Sequence, residues 1–309
     1  MEKYYDRRMD EKFALKVASD WGSIEFKDHI SRSEGSIMKI ASTEVISVPP
    51  TISIFGSAAT MTKYRFRRLP VADPGTGRLI GIVGSTDILD FLGGGEKAKL
   101  LTEKYSGNFL AAINESVSEI MVNDVVTLTT GASIEDGLKK IIESRIGGII
   151  IVDEDNSLRG IVTERDFVNI VAGKKTGISA SEVMTMKVIT TTSGTPLEDA
   201  SKIMLRNSFR RLPVTSQNFL EGIITSRMIL NFMGNGGLFK KIIKNEVSEV
   251  LKTRVSEIMS KDVPTASKEA DLGEVAYIME SKKTGTVCIT EDSTLLGIVT
   301  ERDIIKSIA

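Results

Sequence analysis

Histidine and cysteine are nearly missing from this chain of 309 residues, which contains one of each, His29 and Cys288. A zinc site with several His or Cys ligands, or a Cys–His catalytic dyad, therefore lacks the residues it needs. A Ser-His-Asp triad would have to use His29, and no nucleophile elbow surrounds that residue. We expect His29 to be a solvated surface residue, the protein to hold no metal, and the chain not to be an enzyme.

Excess charge is missing too, since 40 basic residues stand against 41 acidic ones. This balance gives no long-range field that would favour nucleic acid or an anionic membrane, so anion binding must depend on local clusters. No apolar run approaches the roughly 20 residues of a membrane span, and the charged first ten residues contain no signal-peptide core. A lone cysteine excludes an internal disulfide and suits a reducing compartment. We expect a soluble, cytoplasmic protein in which Cys288, within an apolar run, is a buried small hydrophobic residue.

Two phrases recur along the chain and alternate. GIVTERD occurs at residues 160–166 and again at 297–303, whereas FRRLPV occurs at 66–71 and again at 209–214. Around each phrase, apolar runs, helical periodicity and turn residues follow one another in an order that indicates a β-α-β-β-α unit. Because the phrases alternate at nearly equal offsets, a two-repeat unit has been duplicated.

The four units are assigned to residues 36–92, 117–172, 180–233 and 254–309. A unit with three short strands cannot cover both faces of its own sheet, so we expect odd repeats to pair with even ones and supply the missing face. This pairing predicts two pseudo-two-fold modules. In the first unit, we expect the leading strand at Val45 to Val48, ended by the two prolines that follow.

Three segments lie outside the units. Residues 93–116 and 234–253 carry helical patterns and should link the two repeats of each module. Residues 1–35 form an N-terminal extension with apolar side chains at every fourth position, which predicts a helix that docks on the main body or binds a partner. These side chains are Tyr5, Met9, Phe13, Val17 and Trp21.

The two phrases and the order of elements resemble the cystathionine-β-synthase (CBS) domain. Four such units in tandem resemble the gamma subunit of AMP-activated protein kinase, and residues 91–95 and 108–115 are most similar to its archaeal relatives. The resemblance covers residues 36–309. It implies an α/β (α+β) fold in which four CBS domains pair into two Bateman modules and form a disk, as a monomer or a homodimer.

The Thr-Glu-Arg-Asp tetrads allow two interpretations. In one, Thr163 and Thr300 cap a helix whose first turn holds Asp166 and Asp303. In the other, the free N–H groups of the helix N-terminus attract an anion, while the carboxylate accepts hydrogen bonds from ribose hydroxyls. The resemblance implies the second interpretation, with the aspartates on the ribose and the threonines near a phosphate.

The arginine pairs also have two interpretations, because arginines beside a strand are often merely solvated. Their planar guanidinium groups nevertheless suit phosphate oxygens. The resemblance implies that Arg67 and Arg68 face the site of Asp166, and that Arg210 and Arg211 face the site of Asp303. It further implies that adenine lies against the leading segments of the odd repeats, at Val45, Ile46, Val188 and Ile189.

The other two candidate sites depart from this pattern. Met228 occupies the aspartate position of the third repeat, and the first repeat keeps Asp87 but has Gly84 in place of the threonine. Their partner repeats offer residues 146–148 and 283–285, Ile-Gly-Gly and Lys-Thr-Gly, where the arginines would stand. We therefore expect these two sites to lack phosphate ligands. Two competent sites remain, with Asp87 at most a weak third that would suit a nucleoside or a sulfonium ligand.

Together these features predict a non-catalytic regulatory protein. It would bind AMP, ADP or ATP at cross-repeat sites, need no cofactor, and sense energy charge for a partner protein. Two alternatives stay open: a sensor of S-adenosylmethionine, or a protein-interaction scaffold with vestigial pockets.

Overall fold

The computed structural model describes residues 36–93, 95–99, 103–106, 108–234 and 252–309. The predicted N-terminal helix, His29 and nearly all of the predicted linker at 234–253 lie outside these residues. The helices are α1 (Ile54–Tyr64), α2 (Ser85–Gly93), α3 (Phe109–Ile113), α4 (Ile134–Glu143), α5 (Glu164–Val171), α6 (Ala180–Val183), α7 (Leu197–Arg206), α8 (Ser226–Gly234), α9 (Leu272–Ser281) and α10 (Glu301–Ser307). The strands are β1 (Arg68–Ala72), β2 (Leu79–Gly84), β3 (Thr127–Thr129), β4 (Gly148–Val152), β5 (Leu158–Thr163), β6 (Arg211–Ser216), β7 (Phe219–Thr225), β8 (Thr265–Ala266), β9 (Thr286–Glu291) and β10 (Thr294–Thr300).

Each repeat contains an antiparallel hairpin between two helices. In the first repeat β1 pairs with β2, and the side chain of Asp73 shapes the turn between them. Its Oδ1 accepts hydrogen bonds from the backbone N–H groups of Gly75 (3.0 Å) and Thr76 (2.7 Å). Gly77 then takes a φ of 71°, a left-handed conformation that glycine adopts without a steric penalty. The last strand of each repeat leads directly into the helix that follows it.

The predicted leading strand at Val45 to Val48 is reduced to one bridge, between Val48 and Val71. Val48 donates to the carbonyl of Pro70 (3.0 Å), and its own carbonyl accepts from Ala72 (3.0 Å). The next rung of a parallel ladder would need an N–H at position 70, which proline lacks. In the fourth repeat the equivalent residue is Cys288, which does donate, to Pro264 (2.9 Å), and β8 forms beside β9.

The start of each repeat packs into the core of the other repeat type. Ile37 lies among the buried side chains of the even repeats, and so does Ala180. Val117 and Val255 conversely lie among those of the odd repeats. These exchanged segments interlock the odd and even repeats of the chain.

The odd–even pair supplies only part of the buried face of each repeat. One hydrophobic cluster joins repeats 1 and 3, with α2 packed against α7 and α8. A second cluster joins repeats 2 and 4, with α5 packed against α9 and α10. The helical face of each repeat is therefore covered by its counterpart in the other module, and apolar burial holds the two modules together.

No helix in the ranges given above combines the length and the apolar character that crossing a bilayer requires.

The junction between the modules gives a first test. Gly273 lies in α9, and a Cβ added there would stand 1.6 Å from the carbonyl oxygen of Lys174. Helix propensity alone would make Gly273→Ala stabilising. The added Cβ would, however, clash with backbone atoms of Lys174, which cannot change rotamer as a side chain can. We expect the substitution to cost about 1–3 kcal/mol, as overpacking does, and to lower Tm by several degrees.

Gly131→Ala is the matched control, because an added Cβ there meets nothing within 4 Å. Calorimetric scans of both variants would check the expectation. A Tm for Gly273→Ala equal to that of Gly131→Ala would contradict the packing described here.

Candidate functional site

The first candidate site is a cavity of about 320 Å³, called here the Asp166 cavity. It lies between the N-terminus of α5 in the second repeat and the leading segment and arginine pair of the first repeat. All six residues predicted for this site line it: Val45, Ile46, Arg67, Arg68, Thr163 and Asp166. The binding roles of these residues remain predictions, but the chain brings them together.

The second candidate site is its counterpart in the other module, a cavity of about 360 Å³ called the Asp303 cavity. It lies between the N-terminus of α10 in the fourth repeat and the equivalent segments of the third repeat. All six predicted residues line this cavity as well: Val188, Ile189, Arg210, Arg211, Thr300 and Asp303. The duplication has thus produced two similar cavities, each assembled across a repeat pair.

The aspartates cap their helices and keep one oxygen available. Oδ2 of Asp166 accepts from the backbone N–H (2.6 Å) and the hydroxyl (2.8 Å) of Thr163. Oδ2 of Asp303 accepts the same pair from Thr300, at 2.8 and 2.6 Å. Oδ1 of each carboxylate has no hydrogen-bond partner within the described ranges. The capping interpretation and the ligand interpretation are therefore compatible, because capping uses one oxygen and leaves the other for a hydroxyl group.

Burial raises the pKa of Asp166, partly offset by the hydrogen bonds from Thr163. A ligand hydroxyl that donates to Oδ1 would stabilise the charged carboxylate further.

The arginines carry charge that the protein only partly neutralises. Burial, reinforced by repulsion from Arg210 and Arg67, lowers the pKa of Arg68 and that of Arg211 to about 9. The Nη1 of Arg211 donates to the carbonyl of Gly285, whereas the guanidinium of Arg68 makes no hydrogen bond to any described residue. Such a cluster of buried like charges favours the entry of an anion.

Two glutamates at the centre of the molecule were missed by the sequence analysis. Glu164 and Glu301 follow the threonines of the two tetrads, and their side chains are about 2% exposed. Glu301 contacts Arg165 (3.0 Å) and Arg67 (3.3 Å), two residues that line the Asp166 cavity. Each glutamate therefore belongs by sequence to one site and neutralises arginines of the other.

Glu164 makes the reciprocal contacts, with Arg302 (2.8 Å) and Arg210 (3.4 Å) of the Asp303 cavity. Burial alone would raise the pKa of Glu301, but the positive charges of Arg67 and Arg165, with Arg211 and Arg210, outweigh it and lower that pKa to about 2. The signal for these residues was in the sequence, because a glutamate occupies the same position in both copies of the GIVTERD phrase.

Aromatic side chains at the cavity walls were also missed. Phe66 and Phe209 line the Asp166 and Asp303 cavities and remain 39% and 42% exposed, which is high for phenylalanine in a structured region. Tyr64 stacks on Phe66 with ring centroids 5.9 Å apart. Both phenylalanines open the repeated FRRLPV phrase, which was the signal that could have identified them.

The two divergent sites differ from each other. The carboxylate of Asp87 is engaged by the ammonium of Lys97 and by the N–H of Gly84 (2.7 Å), so little of it is left for a ligand. At Met228 the surroundings are more basic than the sequence of the partner repeat predicts. A third cavity of about 380 Å³ lies there, and arginines from the first three repeats line it. The sequence comparison overlooked them because it considered only the partner repeat within the module.

No group of three His, Cys, Asp or Glu side chains suited to a metal ion occurs among the residues described. Cys288 is fully buried, as predicted, and burial raises the pKa of its thiol to about 12. This thiol is therefore unreactive at neutral pH.

Comparison with known proteins agrees with the four-unit fold and its paired cavities. The family model described as the CBS domain matches four times, at residues 37–94, 117–173, 180–235 and 255–309. The chain belongs to the CBS-domain family. Proteins of this family are generally regulatory rather than catalytic.

Protein MJ1225 of Methanocaldococcus jannaschii is 39% identical over 279 residues, which are 88% of this chain and 99% of that protein. Its crystal structure matches with a TM-score of 0.85, covers 89% of this chain and all of that one, and is of a protein proposed to be an archaeal homologue of γ-AMPK. These matches confirm the resemblance to archaeal relatives of the gamma subunit.

Two more distant proteins extend the comparison. An uncharacterised 33.4 kDa protein of Thermofilum pendens is 28% identical over 258 residues, 84% of this chain and 86% of that protein. A conserved protein of Pyrococcus horikoshii, 18% identical, shares the fold with a TM-score of 0.56 over 89% of this chain and all of that chain.

The central glutamates give a second test. Glu301→Gln keeps the side-chain volume but leaves Arg67 and Arg165, which are half-buried, without their counter-charge. Removing one partner of a buried ion pair typically costs about 3–5 kcal/mol, so urea unfolding should show a large loss. Glu291→Gln is the control, because it breaks an exposed pair with Lys268 in the same repeat and should change stability little.

The pH dependence should identify the charge as the cause. A carboxylate whose pKa falls from 4.5 to about 2 on folding contributes stability that is complete above pH 4.5 and is lost as the pH falls towards 2. The gap between wild type and Glu301→Gln should therefore be constant from pH 7 to 5 and close below pH 4.5. A gap that persists at pH 2 would indicate a packing defect instead.

Proposed function

We propose that this protein binds adenine nucleotides, one in the Asp166 cavity and one in the Asp303 cavity, and signals their phosphorylation state to a partner protein in the cytoplasm. The observation that carries the proposal is the pairing, twice in one chain, of a carboxylate oxygen without a partner with incompletely neutralised arginines. A ribose needs the first group and a phosphate chain needs the second.

The apolar walls suit the base. In the Asp166 cavity, Val45, Ile46 and the exposed ring of Phe66 provide a surface on which a purine can stack. Pro70 also leaves the carbonyl of Ile46 without the donor that a longer ladder would supply. Backbone polar groups of this segment are thus available to hydrogen-bond the edge of a base.

The Asp303 cavity has the same parts. Val188, Ile189 and the exposed ring of Phe209 line it. Pro213 has no N–H to donate, so the carbonyl of Ile189 lacks the partner that a longer parallel ladder would give it. This correspondence supports one ligand class for both cavities.

The charges favour nucleotides over S-adenosylmethionine. That molecule carries a cationic sulfonium where a nucleotide carries phosphates, and here the sulfonium would face Arg67 and Arg68 or their counterparts. Like charges at short range in a low dielectric disfavour binding. A competition titration against AMP would separate the two ligands.

Sensing would follow from a change of arginine partners. Arg67 contacts Glu301, and each added phosphate would offer a competing anion. A ligand shifts a conformational equilibrium only as far as it binds one state better than the other, and phosphate number supplies such a difference here. The relationship to a protein proposed as a γ-AMPK homologue supports a role in energy sensing.

The test is titration calorimetry and thermal unfolding with AMP, ADP and ATP. We expect a stoichiometry near two and a raised Tm, since a ligand at 100 times its Kd adds about 2.7 kcal/mol of stability per site. Asp166→Asn and Asp303→Asn should each reduce the stoichiometry to one, and the double variant should abolish the shift. A hydrogen bond to a charged acceptor contributes about 1.5–3 kcal/mol, or roughly 10- to 100-fold in affinity.

Asp136→Asn is the matched control. Asp136 accepts from the N–H and hydroxyl of Ser133 in the same capping arrangement, but it lines none of the three cavities. It separates the loss of a helix cap from the loss of a ligand contact. No thermal shift with any nucleotide would favour the scaffold alternative, and a shift unchanged in the double variant would refute the site assignment.

A further inference from the structure

The third cavity, called here the Met228 cavity, is the most basic of the three. It lies at the N-terminus of α8, faces repeat 4, and is lined by six cationic residues at its inner wall and rim: Arg67, Arg165, Arg210, Arg211, Arg227 and Lys283. Lys282 at the rim adds a seventh cation. Asp262 is the one carboxylate among the lining residues, and it lies 3.5 Å from Lys282 at the exposed edge.

Two of these arginines each have one nitrogen without a hydrogen-bond acceptor. The Nη1 of Arg210 and the Nε of Arg227 are buried and make no hydrogen bond. Burial, with repulsion from Arg67 and Arg165, also lowers the pKa of Arg227 to about 10. Since buried polar groups are normally satisfied, a guanidinium nitrogen without an acceptor beside so many cations favours the binding of an anion.

At the N-terminus of its helix, the Met228 cavity presents a threonine hydroxyl where the other two cavities present an aspartate oxygen. Met228 replaces the ribose-binding aspartate, and its N–H donates to the hydroxyl oxygen of Thr225 (3.2 Å). The hydroxyl hydrogen of Thr225 is therefore not used by an aspartate, as that of Thr163 is, and can donate to a ligand. Such a site matches phosphate oxygens, and at its helix N-terminus it offers a ribose no carboxylate; Oδ1 of Asn231, further along the same helix, is the acceptor that remains without a partner among the described residues.

We propose that the Met228 cavity binds a di- or triphosphate group without contacting a ribose. The group can be inorganic pyrophosphate, or the terminal phosphates of a nucleotide held next door. The second source rests on the proposed function, because Arg67 and Arg165 also line the Asp166 cavity, and Arg210 and Arg211 also line the Asp303 cavity.

The experiment is calorimetric titration of the full chain with pyrophosphate after saturation with AMP. We expect one further site per chain. Lys282→Gln with Lys283→Gln should weaken pyrophosphate binding about tenfold or more, the loss of at least one charge-assisted hydrogen bond. Lys139→Gln with Lys140→Gln, a neighbouring lysine pair on α4 away from all three cavities, should leave the affinity unchanged.

Met228→Asp makes the test reciprocal. A carboxylate at this position should repel pyrophosphate and weaken its binding, while a ribose acceptor is restored and the AMP stoichiometry rises from two to three. Absence of pyrophosphate binding to the AMP-saturated protein would overturn the proposal. So would an affinity that neither the lysine pair nor Met228→Asp alters.

Saturation with ATP in place of AMP distinguishes the two sources. If ATP blocks pyrophosphate while AMP does not, the terminal phosphates of a neighbouring nucleotide occupy the cavity. If pyrophosphate still binds, the cavity takes a free anion. If AMP does not bind at all, the proposed function fails by itself, and the same lysine and Met228 variants still test the cavity in the unliganded protein.

Discussion

The buried contacts between two glutamates and the surrounding arginines are the constraint on which the centre of this molecule depends. Arg67, Arg165 and Arg210 come from three repeats and meet around two carboxylates that are themselves about 2% exposed. Without Glu164 and Glu301 their mutual repulsion would oppose the packing of the two modules, which apolar burial otherwise favours. The carboxylates do not neutralise the whole cluster, and this remaining positive charge is what makes anion binding favourable.

The contacts also cross between the sites. Glu301 follows Thr300 of the Asp303 cavity but contacts Arg67 and Arg165 of the Asp166 cavity, and Glu164 does the reverse. A phosphate that drew Arg67 away from Glu301 would leave that carboxylate with more negative charge to offer Arg210 and Arg211 of the other site. The two cavities are therefore joined by one charge network, although each is assembled from its own repeat pair.

Much of the site could be predicted from the sequence because its parts are local. The tetrad of Thr163 to Asp166 fixes both the start of α5 and the orientation of the carboxylate, and the alternation of phrases indicates which arginines face which aspartate. The leading strand was predicted less well, since the loss of a rung to Pro70 depends on which residue stands opposite Val48. That register is a tertiary property.

Contacts between the modules could not be predicted at all. Arg67 and Glu301 are 234 positions apart, and nothing in either neighbourhood specifies that the modules face each other. The same limit applies in part at Met228, where Arg67 and Arg165 come from the other module.

The difference at Met228 shows how one substitution in a duplicated fold changes the hydrogen-bonding groups that face a cavity. In the even repeats, the aspartate takes both the N–H and the hydroxyl of the preceding threonine and presents an acceptor to the cavity. With methionine there, the threonine hydroxyl oxygen accepts from the N–H of Met228 and its hydrogen is not bound by a carboxylate, so this helix N-terminus presents donors instead of a carboxylate oxygen. The arginines are shared among the cavities, so each cavity can attract a phosphate. Under the proposed function, the residue at the third position of the helix sets whether the ligand must also carry a ribose.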